Sequence, residues 1–134
     1  MGGTGQATMG LYNKIFGDRG EEIAARLLKK RGYRILERNY RCRYGEIDLV
    51  ARDGRTIAFV EVKARRNTDF GAPADAVGNK KRLNMARASS NYLVERGLAD
   101  HPARFDVVSI LTEGGVATAE LIKDAFSAPP PFAP

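Results

Sequence analysis

Asp48, Glu61 and Lys63, in the stretches GEIDLVA and FVEVKAR, are the residues of this chain best suited to chemistry. The stretches flank Asp53-Gly54, a dipeptide that favours a tight hairpin turn, and each alternates charged and apolar residues like a half-buried strand. A turn centred between Asp53 and Gly54 sets Asp48 opposite Phe59, Val50 opposite Ile57 and Glu46 opposite Glu61. Glu46, Asp48, Val50, Ile57, Phe59, Glu61 and Lys63 then share one face of the hairpin, and Ile47, Leu49, Ala51, Ala58, Val60 and Val62 the other. In that register Asp48 and Glu61 are diagonal neighbours with Cβ atoms roughly 7–8 Å apart, able to converge on one cation. Glu46 opposite Glu61 would repel it unless a cation or a proton intervened. An ion-pair network that merely satisfies itself is the plain alternative. Acids in excess of lysine favour a hard cation, and magnesium takes one or two carboxylates plus water and phosphate oxygens.

The elements that must hold these residues are legible on either side. Asp18 can cap a helix running to about Arg31, which Gly32 ends, and Ala24, Ala25, Leu27 and Leu28 form its apolar stripe. Glu21 lies three, four and seven residues before Ala24, Ala25 and Leu28, on the buried face, whereas Glu22 can pair with Arg26 in solvent. Strands are expected at Tyr33–Tyr40, Tyr44–Arg52, Arg55–Ala64, Arg104–Leu111 and Val116–Ile122, the last two joined through Glu113-Gly114-Gly115. A second helix spans about Asn79–Arg96, closed by Gly97, with a turn of helix before it from near Ala74. Its predicted apolar positions are Leu83, Ala86, Ser90, Leu93 and Val94. The order α-β-β-β-α-β-β predicts an α/β domain, a mixed central sheet flanked by helices. Residues 1–17 read as a flexible arm, 18–124 as the domain and 125–134 as a Pro-rich tail.

Composition removes several alternatives. With 43% hydrophobic residues in 134, the chain can bury a core unaided, and Lys plus Arg number 22 against 16 acids, a net charge of +6 that points to a polyanionic partner. Cys42 is the only cysteine, so neither an internal disulfide nor a thiolate zinc site is available. His101 is the only histidine and precedes Pro102 in a loop-like stretch, a poor place for a Ser–His–Asp base. No apolar run approaches the 18 or so residues of a membrane span, and no secretion-signal pattern opens the chain, so the expectation is a cytoplasmic protein without a membrane partner.

Taken together, Glu21 on a first helix, Gly45-Glu46-Ile47-Asp48 and Phe59-Val60-Glu61-Val62-Lys63 resemble the PD-(D/E)XK nuclease signature. More closely, the chain resembles the YraN-like family of bacterial proteins, relatives of the archaeal Holliday junction resolvases. The resemblance runs from about Gly20 to Asp106 and includes Arg38-Asn39, Gly71, Lys80 with Leu83 and Ala86, and Arg104-Phe105-Asp106-Val107. It implies a restriction-endonuclease-like core in which Asp48 and Glu61 are metal ligands, Lys63 orients or deprotonates the attacking water, and Glu21 reaches the metal or its water from the helix. Ile47 stands where the superfamily's proline would be. The implied cofactor is Mg²⁺ or Mn²⁺, with Glu46 beside the other catalytic candidates.

Arg34, Arg38, Arg41, Arg43, Arg65 and Arg66 flank the hairpin in sequence, with Tyr33, Tyr40 and Tyr44 among the first four, and Lys80, Asn84, Arg87 and Asn91 form a polar stripe on the second helix. Arginine with tyrosine suits phosphate contact and base stacking, although a solvated edge and a solvated helix face have the same composition. Nothing resembles a base-reading motif, so recognition of nucleic-acid shape is expected, with DNA favoured over RNA and a homodimer suited to a four-way junction. Three readings stand: a metal-dependent endonuclease acting on branched or damaged DNA, a non-catalytic nucleic-acid-binding module of the same fold, and a protein-interaction subunit whose basic surface meets an acidic partner.

Overall fold

The computed structural model describes residues 19–66 and 77–128. Helix α1 covers residues 19–30. Strands β1 (Arg34–Cys42), β2 (Gly45–Asp53) and β3 (Thr56–Arg66), helix α2 (Asn79–Glu95), and strands β4 (Ala103–Glu113) and β5 (Val116–Phe126) follow. The order is the expected α-β-β-β-α-β-β. The expected arm, the Asp18 cap, the turn near Ala74, Gly71 and residues 129–134 lie outside the described residues, as does the side chain of Arg66. Strand β5 continues past Ile122 into the stretch expected as tail, because Phe126 is buried and stacks on Phe105 at 5.0 Å.

The five strands lie side by side in chain order. β3 and β4 are parallel and every other pair is antiparallel. Parallel neighbours need a crossover, and α2 lies in it. α1 covers one face of the sheet, where Ala24, Ala25 and Leu28 pack with Leu49, Val60, Val108 and Ile110. α2 covers the other, where Met85, Ala88 and Tyr92 pack with Val50, Ile57, Phe59 and Val107. Gly20 lets α1 approach closely: a Cβ there would already stand 3.5 Å from Ile110 Cδ1. The helix ends with Gly32 at φ +89°, its N–H bonded to the Lys29 carbonyl and that of Tyr33 to Leu28, a glycine-dependent stop.

Three local expectations change. The β2–β3 turn falls on Gly54-Arg55, so Val50 pairs with Phe59 and Leu49 with Val60, two residues out from the expected register. Asp53 stays in the strand because its Oδ2 accepts from Arg104 Nη2 at 2.8 Å and lies 3.4 Å from Lys123 Nζ. A two-residue shift preserves faces, so Val50, Ile57 and Phe59 still share one face. Ile47, however, crosses to join Tyr40 and Val50 on the α2 side. Between the pairs Arg38–Leu49 and Tyr40–Ile47 lies Asn39 at φ +53°, a left-handed residue that turns the following side chain to the other face. On α2 the buried residues are Met85, Ala86, Ala88, Ser89 and Tyr92, while Val94 is 72% exposed. The Tyr92 ring, edge-on to Tyr40 and Phe59, sets that phase rather than the aliphatic Leu93 and Val94.

Candidate functional site

β2 and β3 stop pairing after Leu49–Val60. Beyond that point the Asp48 side chain replaces the missing backbone partner: the Val62 N–H donates to Asp48 Oδ2 at 2.8 Å. Extending the register one step sets Asp48 level with Glu61, closer than the diagonal relation expected. The opening between the strands thus places two carboxylates side by side, each on a strand whose neighbouring residues are core.

Glu61 is the most heavily constrained acid here. It is 4% exposed, yet its Oε2 has no hydrogen-bond partner among the described residues. Its Oε1 lies 3.8 Å from Lys63 Nζ and 3.5 Å from Lys81 Nζ, both longer than an ordinary hydrogen bond. Burial pushes its carboxyl up to about 7, and the charge of Asp48 adds to the rise against the opposing pull of Lys81 and Lys63. The protonated form is thereby favoured, the response of a buried carboxyl beside a second acid.

The other expected site residues divide. Lys63 joins the pair. Glu21, partly buried on α1, accepts from Asn39 Nδ2 at 3.0 Å and so is tied to the strand position across from Asp48. Glu46 does not join: it is exposed and pairs with Arg41 at 3.3 Å, because the altered register and the end of the ladder carry it away from Glu61. Among the described residues no three His, Cys, Asp or Glu side chains gather into one cluster. The charge count behind the expected cation site is thus revised. Two acids face two lysines, and what favours a ligand is the unsatisfied Glu61 oxygen rather than an excess of acid. That donor set fits Mg²⁺ or Mn²⁺, which accept two carboxylates and fill the remaining positions with water and phosphate.

Lys81 was invisible in the expected helix phase. Counted back four and seven residues from Met85 and Ala88, it falls on the inward stripe, and that spacing is the signal that could have found it.

Of the expected nucleic-acid contacts, Arg38 is engaged with Glu22 at 2.7 Å, which also holds Arg26 at 3.3 Å, and Arg41 with Glu46. The Arg43 guanidinium lies 4.9 Å from the Tyr44 ring centre at the β1–β2 turn. Arg65 is half-buried in β3. Lys80 and Arg87 are exposed, without a carboxylate partner among the described residues. The turn rests on α2 at Asn84: Gly45 has φ +151°, and a Cβ on it would meet Asn84 Cβ at 3.3 Å. His101 Nδ1 lies 2.9 Å from the Arg55 carbonyl, a structural contact, and Cys42 is unpaired. Among the described residues no helix is long and apolar enough to cross a membrane.

A second polar cluster lies on β4. Asp106 is fully buried; it accepts from Tyr33 Oη at 3.0 Å, from Arg104 Nε at 2.9 and 3.2 Å and from the Asp124 N–H at 2.9 Å. Arg104 also reaches the Tyr33 hydroxyl at 2.6 Å. Burial pushes the Tyr33 phenol up to about 12, and the Asp106 charge adds to the rise.

A UPF0102 protein of Syntrophus aciditrophicus is 52% identical over 110 residues, covering 82% of this chain and 87% of the relative. One from Geotalea uraniireducens is 50% identical over 115 residues, covering 85% and 91%, and one from Geobacter metallireducens 47% identical over 118 residues, covering 88% and 97%. Residues 20–110 match the uncharacterised protein family UPF0102, and the chain belongs to that family, the YraN-like bacterial family.

Proposed function

We propose that the protein is a divalent-metal-dependent endonuclease that hydrolyses phosphodiester bonds in DNA, with branched or damaged structures as its substrates. The observation that carries this reading is the buried Glu61 carboxyl, level with Asp48, one oxygen unpartnered and two lysines beyond hydrogen-bond reach. A carboxyl desolvated to this degree without satisfaction is destabilising unless something binds there. Asp48 and Glu61 would hold Mg²⁺ or Mn²⁺, with Glu21 supporting them through Asn39. When bound, such an ion supplies Lewis acidity towards a phosphoryl oxygen and acidifies water. The chain's own part is electrostatic. Lys63 and Lys81 present two ammonium groups where a phosphodiester would approach, positioned to draw its non-bridging oxygens and to oppose the charge that builds on them. Glu61 keeps Lys63 oriented, and the flanking core excludes bulk water from one side.

The test is a cleavage assay on labelled duplex, single-stranded, flap and four-way-junction DNA with Mg²⁺ or Mn²⁺. Wild-type protein is expected to cut, and Asp48→Ala and Lys63→Ala to lose at least about a hundredfold in rate. If both variants cut as well as wild type, the assignment is wrong. DNA bound equally by wild type and an Asp48→Ala, Glu61→Ala double variant, and cut by neither, would select the non-catalytic binding module instead.

A further inference from the structure

Tyr44, Arg87, Ser90, Asn91 and Val94 line an open hollow of about 510 Å³ between the β1–β2 turn and α2. We infer that this hollow seats an unpaired nucleobase of a DNA strand and makes the protein select DNA with unpaired bases, an inference that rests on the nucleic-acid function proposed above. The chemistry of the lining fits a planar, weakly polar ring attached to a negative backbone. Tyr44 offers an aromatic ring already stacked against Arg43. Val94, at 72% exposure, is an apolar surface that nothing among the described residues covers. Arg87 is exposed without a carboxylate partner among the described residues. Asn91 is held in place through bonds from its Nδ2 to Tyr40 Oη at 2.6 Å and Glu95 Oε1 at 3.1 Å. None of the five lining residues is acidic. Aromatic and apolar contact above a cation is how bases are held without regard to sequence.

Position supports the same occupant. Arg87 follows Lys81 by six residues on α2, about 9 Å along the axis at roughly 1.5 Å per residue, with Asn84 between them against Gly45. With the roughly 120° between the two positions around the helix added to that rise, the side chains stand several nucleotides apart at about 3.4 Å each along a strand. A strand whose phosphate lies at Lys81 and Glu61 would therefore bring a nearby base over the hollow. A base inside a duplex has both faces covered by its neighbours and cannot use the seat without leaving the stack.

The test is equilibrium binding by fluorescence anisotropy in the presence of a chelator, so that neither metal nor cleavage enters. Two DNAs with equal numbers of phosphates are compared, one blunt and one with a single-stranded overhang. Wild type is expected to bind the overhang on the order of tenfold more tightly than the blunt duplex, the range of one base stacked on an aromatic ring. Tyr44→Ala should erase that preference while leaving blunt-duplex affinity in place, and Tyr44→Phe should retain it. Val94→Asp, at an exposed position that folding does not depend on, should also erase it by placing a carboxylate in the seat. A wild type without preference, or a preference that survives both Tyr44→Ala and Val94→Asp, overturns the inference. The two proposals fail separately. A protein that prefers overhangs through Tyr44 yet cuts nothing refutes the nuclease and leaves the seat standing. One that cuts blunt and overhang DNA alike and ignores Tyr44→Ala does the reverse.

Discussion

Two acids are buried in neighbouring strands of one sheet, and they are treated in opposite ways. Asp106, fully buried on β4, has both oxygens engaged by a phenol, a guanidinium and a backbone N–H. Glu61, 4% exposed on β3, has one oxygen without a hydrogen-bond partner, the other in long ion pairs with two lysines at 3.5 and 3.8 Å, and a second acid beside it. Burial is therefore no guide to role. Satisfaction is: the closed network at Asp106 ties β4 to β5 and to the chain entering β1, whereas the open one at Glu61 retains capacity for something that is not protein. The difference marks the first acid as part of a closed structural network and leaves the second as the candidate site, and substitutions can set the two against each other.

The largest effect belongs to Asp106. Asp106→Ala strips an acceptor from Tyr33, Arg104 and the Asp124 N–H at once, and removing one partner from a buried charge pair costs about 3–5 kcal/mol. Denaturant unfolding should show that loss with no change specific to metal or DNA. If Glu61→Ala destabilises the metal-free protein as much as Asp106→Ala does, the two sites are alike and the contrast fails.

The contrast was only partly legible in the sequence. GEIDLVA and FVEVKAR, with a glycine turn between them, contain their own strand period, so the hairpin and the shared face of Asp48 and Glu61 follow from local pattern. The register depended on whether Asp53 enters the turn, and that is decided by Arg104 and Lys123, far along the chain. The same holds for the crossing of Ile47, which follows from a left-handed Asn39 in another strand, and for Lys81, whose inward direction is set by Tyr92 packing on Tyr40 and Phe59. Asp106 had no visible role because its phenol partner is 73 residues away. Local periodicity thus exposed the candidate acids Asp48 and Glu61, and tertiary partners alone exposed the role of Asp106.

The next effect is a pH dependence. Glu61 in the folded protein titrates at about 7 against an ordinary value of 4.5. A carboxyl raised on folding favours the folded state while protonated, so its contribution is complete below about 4.5 and is lost as pH rises through about 7. At about 1.4 kcal/mol per pKa unit the loss is at most about 3 kcal/mol. Metal-free wild type should therefore lose stability over that window, and Glu61→Gln, which keeps the shape without the ionisation, should not. Above pH 7 the Gln variant should be the more stable protein, the reverse of any substitution at Asp106. Mg²⁺ or Mn²⁺ should raise the melting temperature of wild type at pH 8 and leave that of Glu61→Gln much less affected. A flat wild-type profile would mean that Glu61 is not strained by its surroundings.

The smallest effect asks how closed the Asp106 network is. Tyr33→Phe deletes one hydroxyl that both donates to Asp106 Oδ2 and accepts from Arg104 Nη2. Oδ2 retains Arg104 Nε at 3.2 Å, and Nη2 retains Asp53 at 2.8 Å, so neither charged group is stranded. The loss is then that of an ordinary hydrogen bond, about 1 kcal/mol, rather than that of a buried unpaired ion. Urea unfolding of Tyr33→Phe beside Asp106→Ala measures the ratio. A Phe variant as damaged as the Ala variant would show that the phenol is indispensable to the acid and that the network has no redundancy. A loss near 1 kcal/mol would show that the guanidinium and the Asp124 N–H together keep Asp106 satisfied, a state that the long ion pairs with the two lysines do not provide for Glu61.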